Sequence, residues 1–328
     1  MKEVRADLAP GVHLPLSDAL GSEVDRVPVR ALPRDLAIGG TPTRLADYVA
    51  LTKPRLNVLV VATSAAGYYL GTARGSGGAQ MLAMIGAVAG TALVAGGAAV
   101  LNQVYERDTD ALMRRTRLRP LPDGRVPPGE ATVFGLAIST AGLGLLAARA
   151  NLTAALLALA TLVVYLVVYT PMKRRTPLAT LVGAVPGALP PLIGWTASSG
   201  ALSVGGVALF AIVFLWQIPH FMAIAWLYRD DYGKAGFPML PVVEPEGRRA
   251  GRQAVLYSVV LLPISLAPTL VGVSGMAYCG IALALGVALL ALAFRFAATR
   301  SDQSARRLFF GSIAYLPLLW TAMIADKL

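Results

Sequence analysis

Long uncharged stretches dominate the chain from residue 56 onwards. Asp, Glu, Lys and Arg are absent from seven stretches: 56–73, 81–105, 131–148, 150–172, 176–228, 253–294 and 308–325. A bilayer core of ~30 Å takes about 20 apolar residues as a helix, so the two longest stretches each have room for two spans. Gly/Ser-rich turns at 197–206 and 272–277 divide them. The pattern predicts an all-α polytopic membrane protein with nine transmembrane helices, rather than a soluble domain with one large core.

Basic residues lie in alternate loops. When the predicted helices are numbered along the chain, the N-terminal segment and the loops after helices 2, 4, 6 and 8 carry 26 of the 29 Lys and Arg residues. The other side carries Arg74, Arg149 and Lys327. This imbalance predicts a multi-pass protein of the cell (inner) membrane, with its N-terminus cytoplasmic and its C-terminus on the opposite side. A basic surface beside anionic lipid also accounts for the net charge of +11 without nucleic acid.

The first 45 residues differ from the rest of the chain. They mix Pro, Gly and scattered charge without sustained periodicity, which predicts a disordered cytoplasmic tail over 1–45 and a membrane domain over 46–328. The tail lacks the apolar segment of a signal peptide. The sole cysteine, Cys279, falls within the eighth predicted helix, so we expect no disulfide framework and no thiolate metal site.

The densest charge follows the second predicted helix, in segment 102–126. If the helix continues, Asn102, Glu106 and Asp110 share one face, whereas Asp108 lies on the other. Their oxygen atoms are ligands that suit Mg²⁺, and six arginines in the same segment suit the remaining oxygens of a polyphosphate. The segment therefore predicts a site for Mg²⁺-bound polyphosphate at the cytoplasmic mouth. A solvated helix end with mixed charges is the alternative.

Polar and irregular positions also mark predicted helices 4 and 5. Tyr169 and Lys173 lie four residues apart at the end of helix 4, where Pro171 disfavours a regular helix. Segment 183–195 of helix 5 contains three prolines and three glycines. Backbone of this kind within a membrane faces protein or a cavity. We therefore expect helix 5 to line an internal space.

Helix 6 carries polar groups at two depths. Gln217 and His220 lie within the span, and Arg229 and Asp231 lie at its end. Polar side chains within a bilayer are costly and indicate function by default, although an interhelical hydrogen bond is the alternative for His220. His220 precedes Asp231 by about 16 Å on a regular helix, so we expect it below the level of the polyphosphate, on the side of an acceptor substrate.

Several of these segments resemble motifs of the UbiA-type membrane prenyltransferases. The motifs are NQVYERDTD (102–110), RTRLRPL (115–121), the Tyr169–Lys173 pair, PPLIGW (190–195), WQIPHF (216–221) and DYGKAGFPMLPVV (231–243). Glu106 replaces the middle aspartate of the Asn-x3-Asp-x3-Asp motif of this family, and Leu118 replaces an asparagine. The second Asp-x3-Asp motif is missing apart from Asp231, with Asp230 beside it, as is typical of the haem-modifying branch.

The resemblance implies nine helices around a central cavity. The implied reaction transfers the farnesyl group of farnesyl diphosphate to a vinyl group of haem b, with water adding a hydroxyl and diphosphate leaving. It implies Mg²⁺ as cofactor, held by Asn102, Glu106 and Asp110, with Tyr169 and Lys173 at the diphosphate. The implied substrate-binding candidates are Arg115, Arg119, Arg229, Asp231 and His220. The implied partners are membrane lipid and haem A synthase or cytochrome oxidase assembly factors, and nucleic acid is not expected.

Two alternatives remain at this stage. One is the same fold acting on another aromatic or quinone-precursor acceptor, which the missing second Asp-x3-Asp motif and the WQIPHF segment disfavour. The other is a membrane transporter with polar groups in broken helices, which would place them at the midplane. Here the charged clusters lie at one edge. A b-type cytochrome is excluded because His220 is the only histidine within the membrane region.

The predicted topology can be tested with reporters fused to the C-terminus. Nine spans with a cytoplasmic N-terminus place Leu328 on the far side of the membrane, so a fusion there should be active with a reporter that works only outside the cytoplasm. The same reporters fused at a site in the loop after helix 6 should give the opposite result. A cytoplasmic signal after Leu328 would contradict the predicted number of spans.

Overall fold

The computed structural model describes residues 43–73 and 78–328, and these residues are almost entirely helical. The helices are α1 (Arg44–Leu51), α2 (Pro54–Gly71), α3 (Gly78–Leu112), α4 (Pro128–Arg149), α5 (Leu152–Val163), a π-helical stretch (Val164–Tyr169), α6 (Thr170–Met172), α7 (Ala179–Ser199), α8 (Val204–Leu227), α9 (Arg229–Lys234), α10 (Leu240–Val243), α11 (Arg248–Leu270), α12 (Met276–Thr299) and α13 (Asp302–Ala325). The predicted tail lies outside the described residues up to Pro42, and Thr43 caps α1.

Nine helical segments of the described chain are long: α2, α3, α4, α5 with its continuation to Met172, α7, α8, α11, α12 and α13. Seven of them are long and apolar enough to cross a membrane by length and composition, and the exceptions are α2 and α7. The predicted all-α polytopic class is therefore confirmed, and the number of nine spans stays a prediction. Both predicted divisions of the longest uncharged stretches fall in loops, between Ser199 and Val204 and between Leu270 and Met276.

The two helices that are less apolar than the other seven, α2 and α7, pack closely against each other. Gly67 of α2 lies against the backbone of Pro191, and Gly194 of α7 lies against the backbone oxygen of Ser64, so that a Cβ at either glycine would overlap these atoms. Small residues let membrane helices approach to backbone contact. More than half of α7 is buried, so it is a central element of the bundle.

The buried apolar residues form two main clusters on either side of the centre. One joins α8, α11, α12 and α13, with large members such as Tyr278, Phe296 and Tyr315. The other joins α3, α4, α5 and the C-terminal half of α7, including Leu146 and Ile193. The clusters meet along α7 and α8, and an internal space remains between α2, α3, α5, α7 and α8.

The two ends of the described chain lie at opposite ends of α2. Lys53 directly precedes α2, whereas Lys327 donates hydrogen bonds from Nζ to the carbonyl oxygens of Tyr69 and Thr72 at the other end, each at 2.6 Å. Gly275 also donates to the Asp326 carbonyl at 2.8 Å. The described helices therefore run an odd number of times along the bundle, while the side of the membrane that each end faces stays a prediction.

Candidate active site

A cavity of about 450 Å³ opens between α2, α3, α5, α7 and α8. Its lining changes from charged to apolar along α3. Asn102, Glu106 and Asp110 line one end, here called the charged end, and Ala98, Ala95, Val94 and Thr91 line the other part. α3 has 35 residues, or about 52 Å at 1.5 Å per residue, so it extends well past a ~30 Å bilayer core. The charged end lies in this extension.

The three oxygen-bearing residues of α3 share one face and are buried. Asn102, Glu106 and Asp110 are 1%, 6% and 1% exposed, and all three line the cavity. Asn102 Nδ2 donates a hydrogen bond to Glu106 Oε2 at 2.8 Å. Asp108 is exposed and pairs with its neighbour Arg107 at 3.2 Å. The four-residue spacing therefore directs three side chains into one site and leaves Asp108 in solvent.

Each buried carboxylate has a basic partner. Lys173 Nζ lies 3.0 and 3.3 Å from the two Glu106 carboxylate oxygens, and Arg119 Nη1 lies 2.7 Å from Asp110 Oδ2. An unpaired carboxylate in such a place would be strongly unfavourable, because burial removes its hydration. Lys173 and Arg119 also line the cavity. The site thus combines two acids with two cations that an anionic ligand can attract.

The π-helical stretch supplies the wall opposite α3. Tyr165 and Tyr169 both line the cavity, and the Thr170 hydroxyl oxygen lies 2.9 Å from Asn102 Oδ1 and 2.7 Å from the Tyr165 carbonyl oxygen, so its one hydrogen is shared between these two acceptors. Wider π turns inside helices occur frequently at functional sites. This turn orients Asn102 from a second helix.

Tyr169 and Lys173 come together as their four-residue spacing suggested. Lys173 Nζ lies 5.1 Å from the centre of the Tyr169 ring and 5.6 Å from that of Phe237. The Tyr169 ring packs directly on Gly183 of α7, where a Cβ would overlap it. Burial alone would lower the pKa of Lys173, but Tyr169 and Glu106 outweigh this effect and raise its pKa. Lys173 is therefore a stable cation at this site.

A residue that the sequence motifs did not single out, Lys53, also lines the charged end. It precedes Pro54, the first residue of α2, and has left-handed backbone with φ of 50°. Burial, together with Arg119 and Lys173, lowers the pKa of Lys53 to about 7. The sequence signal was the proline at the first helical position, which marks a helix start and so places Lys53 at its end.

The other predicted residues fall into two groups. Arg115 and Arg119 line the cavity, with the Arg115 guanidinium 5.6 Å from the centre of the Tyr228 ring. Arg229 instead stacks on Trp226 and pairs with Asp302 at 3.0 Å. Asp231 is partly exposed on α9 and is not among the residues that line the cavity. Within α9, the lining residue is its neighbour Tyr232.

His220 faces α13 rather than the cavity. Its Nδ1 lies 2.8 Å from Ser312 Oγ, and its ring stacks on Trp216 and Phe309 with centroids 5.0 and 5.2 Å apart. The cavity face of α8 instead carries Gln217 and Phe221. The role of His220 toward an acceptor stays a prediction, and the structure gives it an interhelical hydrogen bond.

The donor set at the charged end fits a hard divalent cation. Glu106, Asp110 and the Asn102 amide offer oxygen atoms on one buried face, which is the ligand type that Mg²⁺ takes, usually shared with substrate phosphates and water. Across residues 43–73 and 78–328, no three His, Cys, Asp or Glu side chains cluster closely enough to hold a metal by themselves. The geometry therefore suits a metal that arrives with an anionic ligand better than an all-protein metal cage.

The sequence is similar to one family over most of its length. A family model described as the UbiA prenyltransferase family matches residues 60–316. The chain is 45% identical over 287 residues to "Protoheme IX farnesyltransferase" of Solibacter usitatus, covering 86% of this chain and 98% of that protein. It is 44% identical over 288 residues to the protein of the same name from Myxococcus xanthus, covering 87% and 96%.

The fold is similar to solved structures of distant sequence. A structure of digeranylgeranylglyceryl phosphate synthase superposes with a TM-score of 0.73 at 17% identity, covering 86% of this chain and 98% of that one. A UbiA homolog from Archaeoglobus fulgidus bound to GPP and Mg²⁺ superposes with a TM-score of 0.62 at 18% identity, covering 84% and 99%. These similarities show a shared arrangement of helices.

The one-face geometry of α3 predicts different effects for two neighbouring acids. Asp110→Asn removes a buried carboxylate from the cavity, so we expect kcat/KM to fall on the order of 100-fold, as for loss of one group that binds developing charge. Asp108→Asn changes an exposed carboxylate and should stay within about two-fold. Prenyl transfer by the two purified variants at saturating Mg²⁺ provides the measurement. Equal losses in both would contradict the assignment.

Lys53 predicts a pH dependence for anion binding. Its pKa is about 7, and an anionic ligand favours the protonated lysine, so binding takes up a proton once the pH exceeds that value. We expect the Kd of a non-hydrolysable prenyl diphosphate analogue to rise above pH 7, by up to about ten-fold per pH unit.

The matched variant is Lys53→Arg, which stays charged over the whole range. It should lose this part of the pH dependence while the titration of the ligand itself remains. Calorimetric titrations between about pH 6 and 9 compare the two proteins. Identical pH profiles would show that Lys53 does not meet the ligand.

Proposed function

Because this chain belongs to the UbiA prenyltransferase family, we propose that it transfers the farnesyl group of farnesyl diphosphate to a vinyl group of haem b, forming haem O and releasing diphosphate. The relatives from Solibacter usitatus and Myxococcus xanthus carry the name protoheme IX farnesyltransferase and match the chain over nearly their whole lengths. The observation that carries the proposal is the buried Glu106–Lys173 and Asp110–Arg119 pairs at the mouth of an apolar cavity.

The two ion pairs suit an allylic diphosphate because their cations can bind its phosphate oxygens and their carboxylates can bind a metal that comes with it. Lys53, Lys173 and Arg119 offer cations to the diphosphate oxygens, and their charge stabilises the leaving group as the allylic C1–O bond breaks. Tyr169 lies beside Lys173 at the same level. A diphosphate that attracts the cations would release Glu106 and Asp110 for another positive partner.

We propose Mg²⁺ as that partner, held by Asn102, Glu106 and Asp110. The bound ion would supply charge that offsets the developing negative charge of the leaving diphosphate. One relative in fold has been solved with GPP and Mg²⁺, which supports a metal-bound prenyl diphosphate as the ligand class. The oxygen donors of these three residues agree with this choice.

The depth of the cavity agrees with a farnesyl chain. Asn102 and Thr91 both line it, and eleven residues of α3 separate them by about 16 Å. A farnesyl main chain of roughly eleven C–C bonds, at about 1.2 Å per bond as in an extended polypeptide, is about 13 Å long. Alanines at 95, 98 and 99 leave room along this path. The apolar walls keep water from the cation that forms at C1.

Two arginines near the mouth of the cavity are the candidates for binding the haem propionates. Arg115 lies at the mouth of the cavity without a carboxylate partner in the described residues, so it is the predicted arginine best placed for a haem propionate. Arg229 pairs with Asp302 and would have to leave that partner first. Haem A synthase and cytochrome oxidase assembly factors stay predicted partners. The location in the inner membrane and the cytoplasmic side of the N-terminus also stay predictions.

The proposed reaction can be tested with purified protein in detergent or lipid. Incubation with Mg²⁺, haem b and farnesyl diphosphate should yield haem O, identified by the mass of the extracted pigment, together with released diphosphate. The Asp110→Asn variant serves as the negative control. Diphosphate release with a quinone precursor but not with haem b would instead show another acceptor, and no transfer to either would reject the function.

A further inference from the structure

A buried glutamine interrupts the apolar part of the cavity. Gln217 lies in the middle of α8, is 6% exposed and lines the cavity. Its Nε2 donates to the Ala184 carbonyl of α7 at 3.2 Å and to the Val213 carbonyl at 3.1 Å. Because both partners are acceptors, only the NH₂ group of the amide can face them. The position of Oε1 is thereby determined.

Oε1 of Gln217 lies directly over Gly187, where a Cβ would overlap it. Among the described residues, no hydrogen-bond donor reaches this oxygen. The same turn of α7 carries two further acceptors, since Pro190 and Pro191 have no N–H and the carbonyls of Pro186 and Gly187 lose their regular helix donors. Pro186, Gly187 and Pro190 all line the cavity. This wall therefore offers oxygen acceptors that call for a donor.

The acceptors lie just below the level of the diphosphate groups. The Tyr169 ring packs on Gly183, and Gln217 Oε1 packs on Gly187, four residues further along α7. One turn of α7 separates the two levels by about 6 Å. Tyr169 lies beside Lys173, which marks the diphosphate end. Oε1 is thus placed near the carbons that react rather than near the phosphates.

We propose that Gln217 positions the water molecule that adds to the haem side chain, with Oε1 accepting one of its hydrogens and a carbonyl of the same α7 wall accepting the other. This inference rests on the proposed function. A water is small enough for this wall, and its two O–H groups can donate to two of these acceptors while a lone pair stays free to form a bond. Gln217 is then a positioning residue, and Gly187 makes room for its oxygen.

The proposed transfer breaks the bond from farnesyl C1 to diphosphate and forms one C–C bond and one C–O bond. The allylic C1–O bond breaks and its electron pair leaves with diphosphate. The vinyl π electrons form a bond from the terminal vinyl carbon to C1, which leaves a cation on the vinyl carbon next to the ring. A lone pair of the held water forms the C–O bond to that carbon, and the released proton goes to the departing diphosphate. Without a held water, the cation loses a proton from the adjacent carbon and gives an alkene one water lighter.

The test compares products rather than rates. Wild-type protein with Mg²⁺, haem b and farnesyl diphosphate in ¹⁸O-water should give the hydroxylated product carrying the label. Gln217→Met keeps the side-chain length but removes the acceptor oxygen. We expect the ratio of the lighter alkene to the hydroxylated product to rise about ten-fold or more, the effect of losing one hydrogen bond to a group that becomes charged. Mass spectrometry of the extracted pigment measures this ratio.

Gln103 provides the matched control. It is also a buried glutamine, 1% exposed, and donates from Nε2 to the Leu51 and Ala99 carbonyls at 2.6 and 3.0 Å, yet it is not among the residues that line the cavity. Gln103→Met should cost stability in the same way and leave the product ratio unchanged. A similar change of ratio in both variants would show a general loosening of the bundle and overturn the assignment.

A second variant covers the case in which Gln217→Met does not fold. Gly187→Ala keeps the glutamine but displaces Oε1, so it should shift the ratio in the same direction. Hydroxylated product alone from either folded variant would overturn the role of Gln217. If wild-type protein forms no farnesylated haem of either mass, the proposed function itself fails, and the two failures are distinguishable.

Discussion

Two buried ion pairs at the charged end, Glu106 with Lys173 and Asp110 with Arg119, organise the rest of the site. A carboxylate that is nearly inaccessible to water needs a cation or a metal, so three separate parts of the chain must meet at one place. α3 brings the acids, the segment after the π-helical stretch brings Lys173, and the loop after α3 brings Arg119. An anionic ligand can then exchange partners within a site already rich in both charges, as the proposed binding of a diphosphate with its metal requires.

Irregular backbone gives this site its shape. The π-helical stretch turns Thr170 toward Asn102 and sets Tyr169 on Gly183, while the prolines of α7 free carbonyl groups along the cavity. In a bilayer such backbone is tolerated only where it faces protein or an internal space. The features that would weaken an ordinary membrane helix therefore coincide with the wall of the cavity. The prolines and glycines that shape α7 also make it less apolar than the helices that qualify as spans by composition.

The polarity of the cavity matches the order of events in prenyl transfer. Charge is confined to one end, where a bond to diphosphate would break, and the path below is lined mostly by alanine, valine and other apolar side chains, with a few uncharged polar groups such as Thr91 and Gln217. A carbocation survives only where water is scarce. One amide oxygen at a single depth is compatible with that requirement, since it can hold one water without wetting the whole cavity. In the proposed reaction, the mostly apolar interior and the Gln217 amide together would restrict where water meets the cation.

Hydropathy by itself determined the all-helical membrane class, the divisions at 197–206 and 272–277 and the alternate placement of basic residues, because each depends only on local cost of charge in lipid. Helical spacing also determined that Asn102, Glu106 and Asp110 share a face. Which partner each meets was decided by tertiary structure: Lys173 lies 67 positions from Glu106, and Lys53 reaches the site only because α2 begins beside α3. His220 turned to α13 and Arg229 to Asp302 for the same reason. A membrane helix is apolar on nearly all sides, so its sequence indicates depth but not which neighbour each face contacts.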